Sequence, residues 1–224
     1  MEPTRPVRGQ DADALARLHA AGVVPVIVID DVAAARPLAD LLAGAGLDCV
    51  EITLRTEAAP SALRAVAERG DLLVGAGTVL EPDDVERCVD AGARFIVSPG
   101  LDPQVVERCQ SLGVTVLPGV ATASELLCAR RRGLRAVKFF PAEPAGGLPA
   151  LTALAAAVPD LRFMPTGGVG PDNLRRYLRE PAVLAVGGSW MAPRDLLAAR
   201  DWSEIGARCA HAAGVAAESG SRAG

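Results

Sequence analysis

From Val23 onward, apolar runs alternate with stretches in which apolar residues recur every three or four positions. Residues 23–29 contain no polar side chain, the pattern of a strand covered on both faces. Comparable, mostly apolar runs predict strands at 48–54, 72–75, 95–98, 114–117, 135–139, 161–164 and 183–186. The stretches between them predict amphipathic helices. Several carry start signals. Asp30 and Asp31 can cap a helix through Leu42, Asp102 precedes a proline suited to the first helical position, and Thr122 with Glu125 spells a capping box. Helices are also predicted up to Arg69 and at 82–91, 149–158, 171–178 and 202–217, and one more, at 11–21, comes before the first strand and stops at Gly22.

Gly46, Gly70, Gly92, Gly113 and Gly133 each stand where a helix gives way to a strand, at intervals of 20 to 24 residues. Leucine-rich arrays have repeats of that length, but their consensus is absent and each unit has room for a full helix. Strand–helix units predict a parallel sheet with right-handed crossovers. Eight of them close most naturally into a single-domain (β/α)8 TIM barrel, here an α/β fold with an extra N-terminal helix. A doubly wound open sheet is the alternative. No linker divides the chain, so one barrel domain is expected over 11–217, between a disordered lead, 1–10, and a disordered tail, 218–224.

The 224 residues are half hydrophobic and 22% charged, with a net charge of −4. That balance gives no general case for a nucleic-acid partner, so an anionic ligand needs a local positive site. The five cysteines form no C-x-x-C pair and read as reduced core residues. The only histidines, His19 and His211, fall in different predicted helices, which argues against a histidine-based zinc site. No opening signal peptide and no run of membrane-spanning length are seen. A cytoplasmic protein without a membrane partner is expected.

Chemistry in such a barrel sits at the C-terminal ends of the strands. The sixth strand offers Lys138 there, after an apolar run. Burial disfavours an ammonium and favours the neutral amine, a nucleophile toward carbonyl carbon. The second strand offers Glu51 inside an otherwise apolar run, with Arg55 just beyond. A desolvated carboxylate suits proton transfer, and an arginine at the barrel mouth is a fork for a carboxylate or phosphate. Thr78 ends a glycine turn after the third strand. Thr166-Gly167-Gly168 and Gly187-Gly188-Ser189 follow the last two strands, where bare N–H groups commonly make a phosphate nest. Each has a plain structural alternative: a snorkelling lysine, a buried salt bridge, a solvated loop arginine, a helix-capping threonine, and simple turns.

Together they suggest one reaction. Lys138 attacks a 2-oxo acid to form a Schiff base, the iminium accepts electrons as a carbon–carbon bond breaks, and Glu51 moves the protons. Arg55 and Thr78 hold the carboxylate, and the glycine turns hold a distal phosphate. No cofactor or metal is required.

The motifs Val24-Pro25-Val26-Ile27-Val28, Glu51-Ile52-Thr53-Leu54-Arg55-Thr56, Gly75-Ala76-Gly77-Thr78-Val79, Ser98-Pro99-Gly100, Lys138-Phe139-Phe140-Pro141-Ala142-Glu143, Pro165-Thr166-Gly167-Gly168 and Gly187-Gly188-Ser189-Trp190 run in order over nearly the whole chain. In this the sequence resembles the 2-keto-3-deoxy-6-phosphogluconate aldolase family, which often also handles 4-hydroxy-2-oxoglutarate. The resemblance implies a metal-independent homotrimer that cleaves a phosphorylated 2-keto-3-deoxy sugar acid to pyruvate and glyceraldehyde 3-phosphate in the Entner–Doudoroff pathway. It implies Lys138 as the Schiff-base residue, Glu51 as general acid/base, and Arg55 and Thr78 at the carboxylate. Pro99 and Phe140 match the pocket wall, and Thr166, Gly167, Gly168 and Ser189 match the distal end. Some relatives carry an arginine near the end of the first strand, where this chain has Val28 and Ile29. An aldolase for the phosphogalactonate epimer, or a non-catalytic barrel that binds a phospho-ligand, are the rival readings.

Overall fold

The computed structural model describes residues 8–220. Residues 1–7 of the expected lead and 221–224 of the expected tail lie outside the described residues. Helix α1 (Arg8–Ala21) begins three residues before the predicted start. The parallel strands follow: β1 (Val23–Ile27), β2 (Cys49–Thr53), β3 (Leu73–Gly77), β4 (Phe95–Val97), β5 (Thr115–Leu117), β6 (Gly119–Val120), β7 (Ala136–Phe139), β8 (Arg162–Pro165) and β9 (Val186–Gly188). Between them run α2 (Ala35–Gly44), α3 (Ala59–Ala67), α4 (Pro82–Asp90), α5 (Pro103–Leu112), α6 (Ala123–Arg131), α7 (Gly147–Ala157) and α8 (Leu174–Leu178), with α9 (Arg194–Ala199) and α10 (Trp202–Gly220) last.

The strands form a six-stranded sheet in the order β5-β4-β3-β2-β1-β9 and a three-stranded sheet in the order β6-β7-β8. Pro118 separates β5 from β6. It has no N–H for the ladder, but its carbonyl still accepts from Lys138 N at 2.9 Å. Between β8 and the lead-in to β9, single bridges join Phe163 to Val183 and Thr166 to Gly187.

Two apolar clusters hold the layers. The larger lies between the strands and the helices. The smaller lies inside, where Val24, Cys49, Leu73, Phe95, Leu117, Ala136, Met164 and Ala185 meet Ala14 and Leu18 of α1. The extra helix therefore covers the N-terminal ends of the strands.

The predicted local signals act mostly as expected. Asp102 accepts from Gln104 N and Val105 N at 2.8 and 3.0 Å, and Pro103 opens α5. Thr122 and Glu125 form the full capping box of α6. Asp31, however, caps a short 3-10 turn, Val32–Ala34, rather than α2 itself. The last strand lies further on than the predicted 183–186, because the ladder to β1 pairs Val24 with Gly187 and Pro25 with Gly188. The pairing partner, not local hydrophobicity, sets that boundary. Helix α9 was not predicted; at six residues it is too short to show a periodic stripe. All five cysteines are free, with Cys128 alone only partly buried.

Candidate active site

Side chains alternate across a strand with a period of two. Cys49, Leu73 and Ala136 belong to the inner cluster, so Glu51, Gly75 and Lys138, each two residues on, face inward one layer higher. The register agrees, placing Glu51 opposite Gly75 and Lys138 opposite Gly119 and Met164. Glu51 is fully buried and Lys138 is 6% exposed. Lys138 Nζ donates to Glu51 Oε1 at 3.4 Å. The same nitrogen lies 5.2 Å from the centre of the Phe140 ring, a distance at which an ammonium is attracted to the ring face. Glu51 Oε2 is buried without a hydrogen-bond partner. Such an atom costs stability of roughly 1–3 kcal/mol unless something bonds to it.

Glycines make the room for this layer. A Cβ on Gly77 would stand 2.0 Å from Glu51 Oε1, and one on Gly75 would stand 2.3 Å from the Phe95 ring. A Cβ on Gly119 would meet the Pro99 carbonyl oxygen at 2.0 Å. Gly187 plays the same part beside Thr166 Oγ1, at 2.3 Å. Gly187 and Gly188 therefore lie inside β9, not in a turn after the last strand, and Gly187 serves as a spacer. The spacing role of Gly75, Gly77 and Gly119 was missed in the sequence. Its one local signal is a glycine within or beside a strand, which marks close approach.

The remaining predicted residues border this layer. Arg55 is exposed just past β2 and makes no ion pair among the described residues. Its backbone is fixed, since Arg55 N donates to Thr53 O and Leu54 N donates to Gly77 O, both at 2.8 Å. Thr78 sits at φ 56°, half-buried, a costly conformation for a β-branched residue. It does not cap α4, whose N-cap is Glu81. Pro99 is exposed, beside a turn in which Ser98 Oγ donates to Gly100 O at 2.7 Å. Phe140 is partly buried, and Thr166 is 7% exposed. Gly167 and Gly168 turn with φ of 99° and 81°, and Ser189 is exposed beyond β9.

A parallel α/β fold that seats a buried primary amine against a carboxylate toward the C-terminal ends of its strands belongs, by its chemistry, with lysine-dependent enzymes acting on carbonyl carbon. The family model described as "Aldolase: KDPG and KHG aldolase" matches residues 15–208. The chain belongs to the KDPG and KHG aldolase family. It is 45% identical to 2-dehydro-3-deoxy-phosphogluconate aldolase of Treponema pallidum over 184 residues, which is 82% of this chain and 88% of that protein. It is likewise 45% identical to the KHG/KDPG aldolase of Escherichia coli K12, over 82% of this chain and 86% of that one. Among solved structures, a KDPG aldolase from Legionella pneumophila, with pyruvate captured at low pH as a covalent carbinolamine intermediate, superposes with a TM-score of 0.85. Its sequence is 40% identical, and the match covers 88% of this chain and 96% of that chain.

Proposed function

We propose that this chain is a Schiff-base aldolase that cleaves 2-dehydro-3-deoxy-6-phosphogluconate to pyruvate and glyceraldehyde 3-phosphate. The observation that carries this is the buried Lys138–Glu51 pair, 3.4 Å apart, with Glu51 Oε2 still unpartnered. The amine of Lys138, as the free base, adds to the C2 carbonyl, and the carbinolamine loses water to give an iminium. The C4 hydroxyl proton passes to a base as the C3–C4 bond breaks. The bonding pair flows into the iminium to make an enamine, and C4 leaves as the aldehyde. Protonation at C3 and addition of water then release pyruvate and restore the amine. Among the described residues Glu51 is the carboxylate that meets Lys138, and it carries these protons, directly or through water.

Arg55 and Thr78 take the carboxylate end of the substrate in this reading, with Pro99 and Phe140 as walls. Thr166, Gly167, Gly168 and Ser189 take the phosphate end, and Gly187 and Gly188 shape it. A second substrate, 4-hydroxy-2-oxoglutarate, shares the end that meets Lys138, Glu51 and Arg55 but ends in a carboxylate at C5, in place of the C5 hydroxyl and C6 phosphate. The Escherichia coli relative, whose name includes both activities, favours that reading.

The finer architecture belongs to the same proposal. One domain over 11–217 closes as a (β/α)8 barrel, with β5 and β6 as one stave interrupted at Pro118. Its support is the inner cluster fed by strands of both sheets and the hydrogen bonds Phe163 N to Ala182 O and Leu184 N to Phe163 O, at 2.9 and 2.8 Å. Among the described residues no helix is long and apolar enough to cross a membrane. A cytoplasmic homotrimer is proposed from the family resemblance; light scattering in solution would then give three times the 23.0 kDa chain mass.

The decisive experiment is incubation with pyruvate and borohydride followed by peptide mass mapping. A stable adduct on Lys138 is expected, absent from Lys138→Met. Phosphate binding without any adduct would favour the non-catalytic barrel, and comparing kcat/KM for the phosphogluconate and phosphogalactonate epimers separates the two aldolases.

A further inference from the structure

The motif that carries Lys138 ends at Glu143, and nothing in the aldol chemistry uses that carboxylate. Its side chain accepts a hydrogen bond from the Tyr177 phenol of α8. Tyr177 is 1% exposed and among the largest fully buried side chains. Burial first, then the bond to Glu143, raise the phenol above its ordinary range, so it stays a donor.

What lies between these two residues is the turn assigned above to the phosphate end. On one side, Ala142 N donates to Thr166 O at 2.8 Å and Glu143 N donates to Gly167 O at 3.0 Å. A Cβ on Gly168 would stand 2.6 Å from Glu143 Cβ and 2.8 Å from its Cγ. The stem of Glu143 therefore rests directly on the Gly168 backbone. On the other side, Asn173 at the start of α8 donates from Nδ2 to Gly168 O at 3.2 Å and accepts from Gly170 N at 2.8 Å. The turn is gripped by the segment after β7 and by α8, and the Glu143–Tyr177 bond ties the two grips together.

We propose that Glu143 and Tyr177 are positioning residues that fix the 166–168 turn and thereby set the affinity for a phosphorylated substrate, without touching the reacting carbons. This rests on the turn being the phosphate end of an aldolase site. A purely structural alternative exists, because the carboxylate also stands near Gly147, in the first turn of α7, where negative charge is favourable. That role would move the melting temperature and leave substrate discrimination alone.

The test compares wild type with Tyr177→Phe, Glu143→Ala and Glu143→Gln. A hydrogen bond to a charged group corresponds to roughly ten- to hundredfold in an equilibrium constant. Tyr177→Phe and Glu143→Ala should raise KM for the phosphorylated substrate by about tenfold or more on that scale. The rate of borohydride trapping of pyruvate on Lys138, a substrate with no distal anion, should stay within about twofold of wild type. Glu143→Gln keeps a carbonyl acceptor for the phenol and should restore most of the phosphate-dependent affinity. The double variant should be no worse than either single one. Unchanged KM in the folded Tyr177→Phe protein, or an equal loss in pyruvate trapping, would overturn the clamp while wild-type trapping and preference for the phosphorylated substrate left the aldolase reading standing. A wild type indifferent to the phosphate would remove the phosphate-end assignment itself, and the clamp with it.

Discussion

Gly77→Ala tests whether the placement of Glu51, not merely its presence, matters to catalysis. The added methyl would stand 2.0 Å from Glu51 Oε1, 2.6 Å from Cδ and 2.7 Å from Cγ. Ordinary contact begins at 3.4 Å, so the carboxylate must retreat by more than an ångström. Gly77 is not in the left-handed region, so alanine itself brings no backbone strain. Glu51 can swing, but Oε1 then leaves its place 3.4 Å from Lys138 Nζ. Overpacking a core site costs about 1–3 kcal/mol, or about 2–4 °C of melting temperature per kcal/mol in a chain of this size. A misplacement of about 1 Å in a catalytic group costs roughly a hundredfold in rate.

The expected result is therefore a folded protein that melts a few degrees early, with kcat on phosphogluconate substrate down by about two orders of magnitude. KM should change much less, since Glu51 is not assigned to the carboxylate or phosphate. Gly75→Ala is the control for packing alone: its methyl meets the Phe95 ring at 2.3 Å, so its loss should fall mainly on stability. Gly170→Ala, with nothing within 4 Å of the added atom, should leave both unchanged. A folded Gly77→Ala enzyme with wild-type kcat would refute the reasoning, because it would show that Glu51 can move without consequence.

Two further outcomes test the physical account of the scaffold. In the α6 capping box, burial pushes the Glu125 carboxyl up, but hydrogen bonds from Ala121 N, Thr122 N and Thr122 Oγ1 outweigh it and hold the group below its ordinary range. Its stabilisation is therefore complete above the unfolded carboxylate range and is lost as pH falls through the lower folded value. Thr122→Ala should cost about 1 kcal/mol near neutrality, and calorimetry at decreasing pH should show that difference shrinking below about pH 4.5; a constant difference would contradict the assignment. Burial pushes the thiols of Cys49, Cys88 and Cys109 up to about 12 and that of Cys209 up to about 11. A thiol reagent at pH 8 should then modify those four only on unfolding, with rapid labelling of any of them in the native protein as the contrary result.

Lys138 and Glu51 were legible in the sequence because a charge inside an apolar run is a local anomaly with few explanations. Their meeting was not local: it needs β2 and β7, 87 residues apart along the chain, to face one interior. The strand–helix alternation supplied that topology, which is why two anomalies could be read as one site. The glycines divide differently. Those that end helices, such as Gly113 at φ 66° after α5, were readable from their place in the repeat. Gly77, Gly119 and Gly187 were misread or left without a role, because what each must clear belongs to another strand or loop. Nor could local hydrophobicity locate β9, whose last two residues are glycines paired with β1.

The inner layers explain how so polar a pair can be kept dry without collapsing on itself. Cys49 and Ala136 lie one step below Glu51 and Lys138 in the apolar cluster that α1 covers, so water is shut out from that side. Removing either partner of a buried ion pair leaves an uncompensated charge, which favours keeping both even before chemistry is considered. Stability alone, however, would favour bonding the second carboxylate oxygen, and no protein group among the described residues bonds Oε2. It would also favour a larger side chain than glycine at 77, yet the space there is held open for Oε1. A salt bridge kept only for structure explains the first feature and needs the same clearance at Gly77, but it gives Oε2 no use. The proposed role, in which the carboxylate changes partners as protons move to and from a lysine-bound substrate, gives that oxygen one.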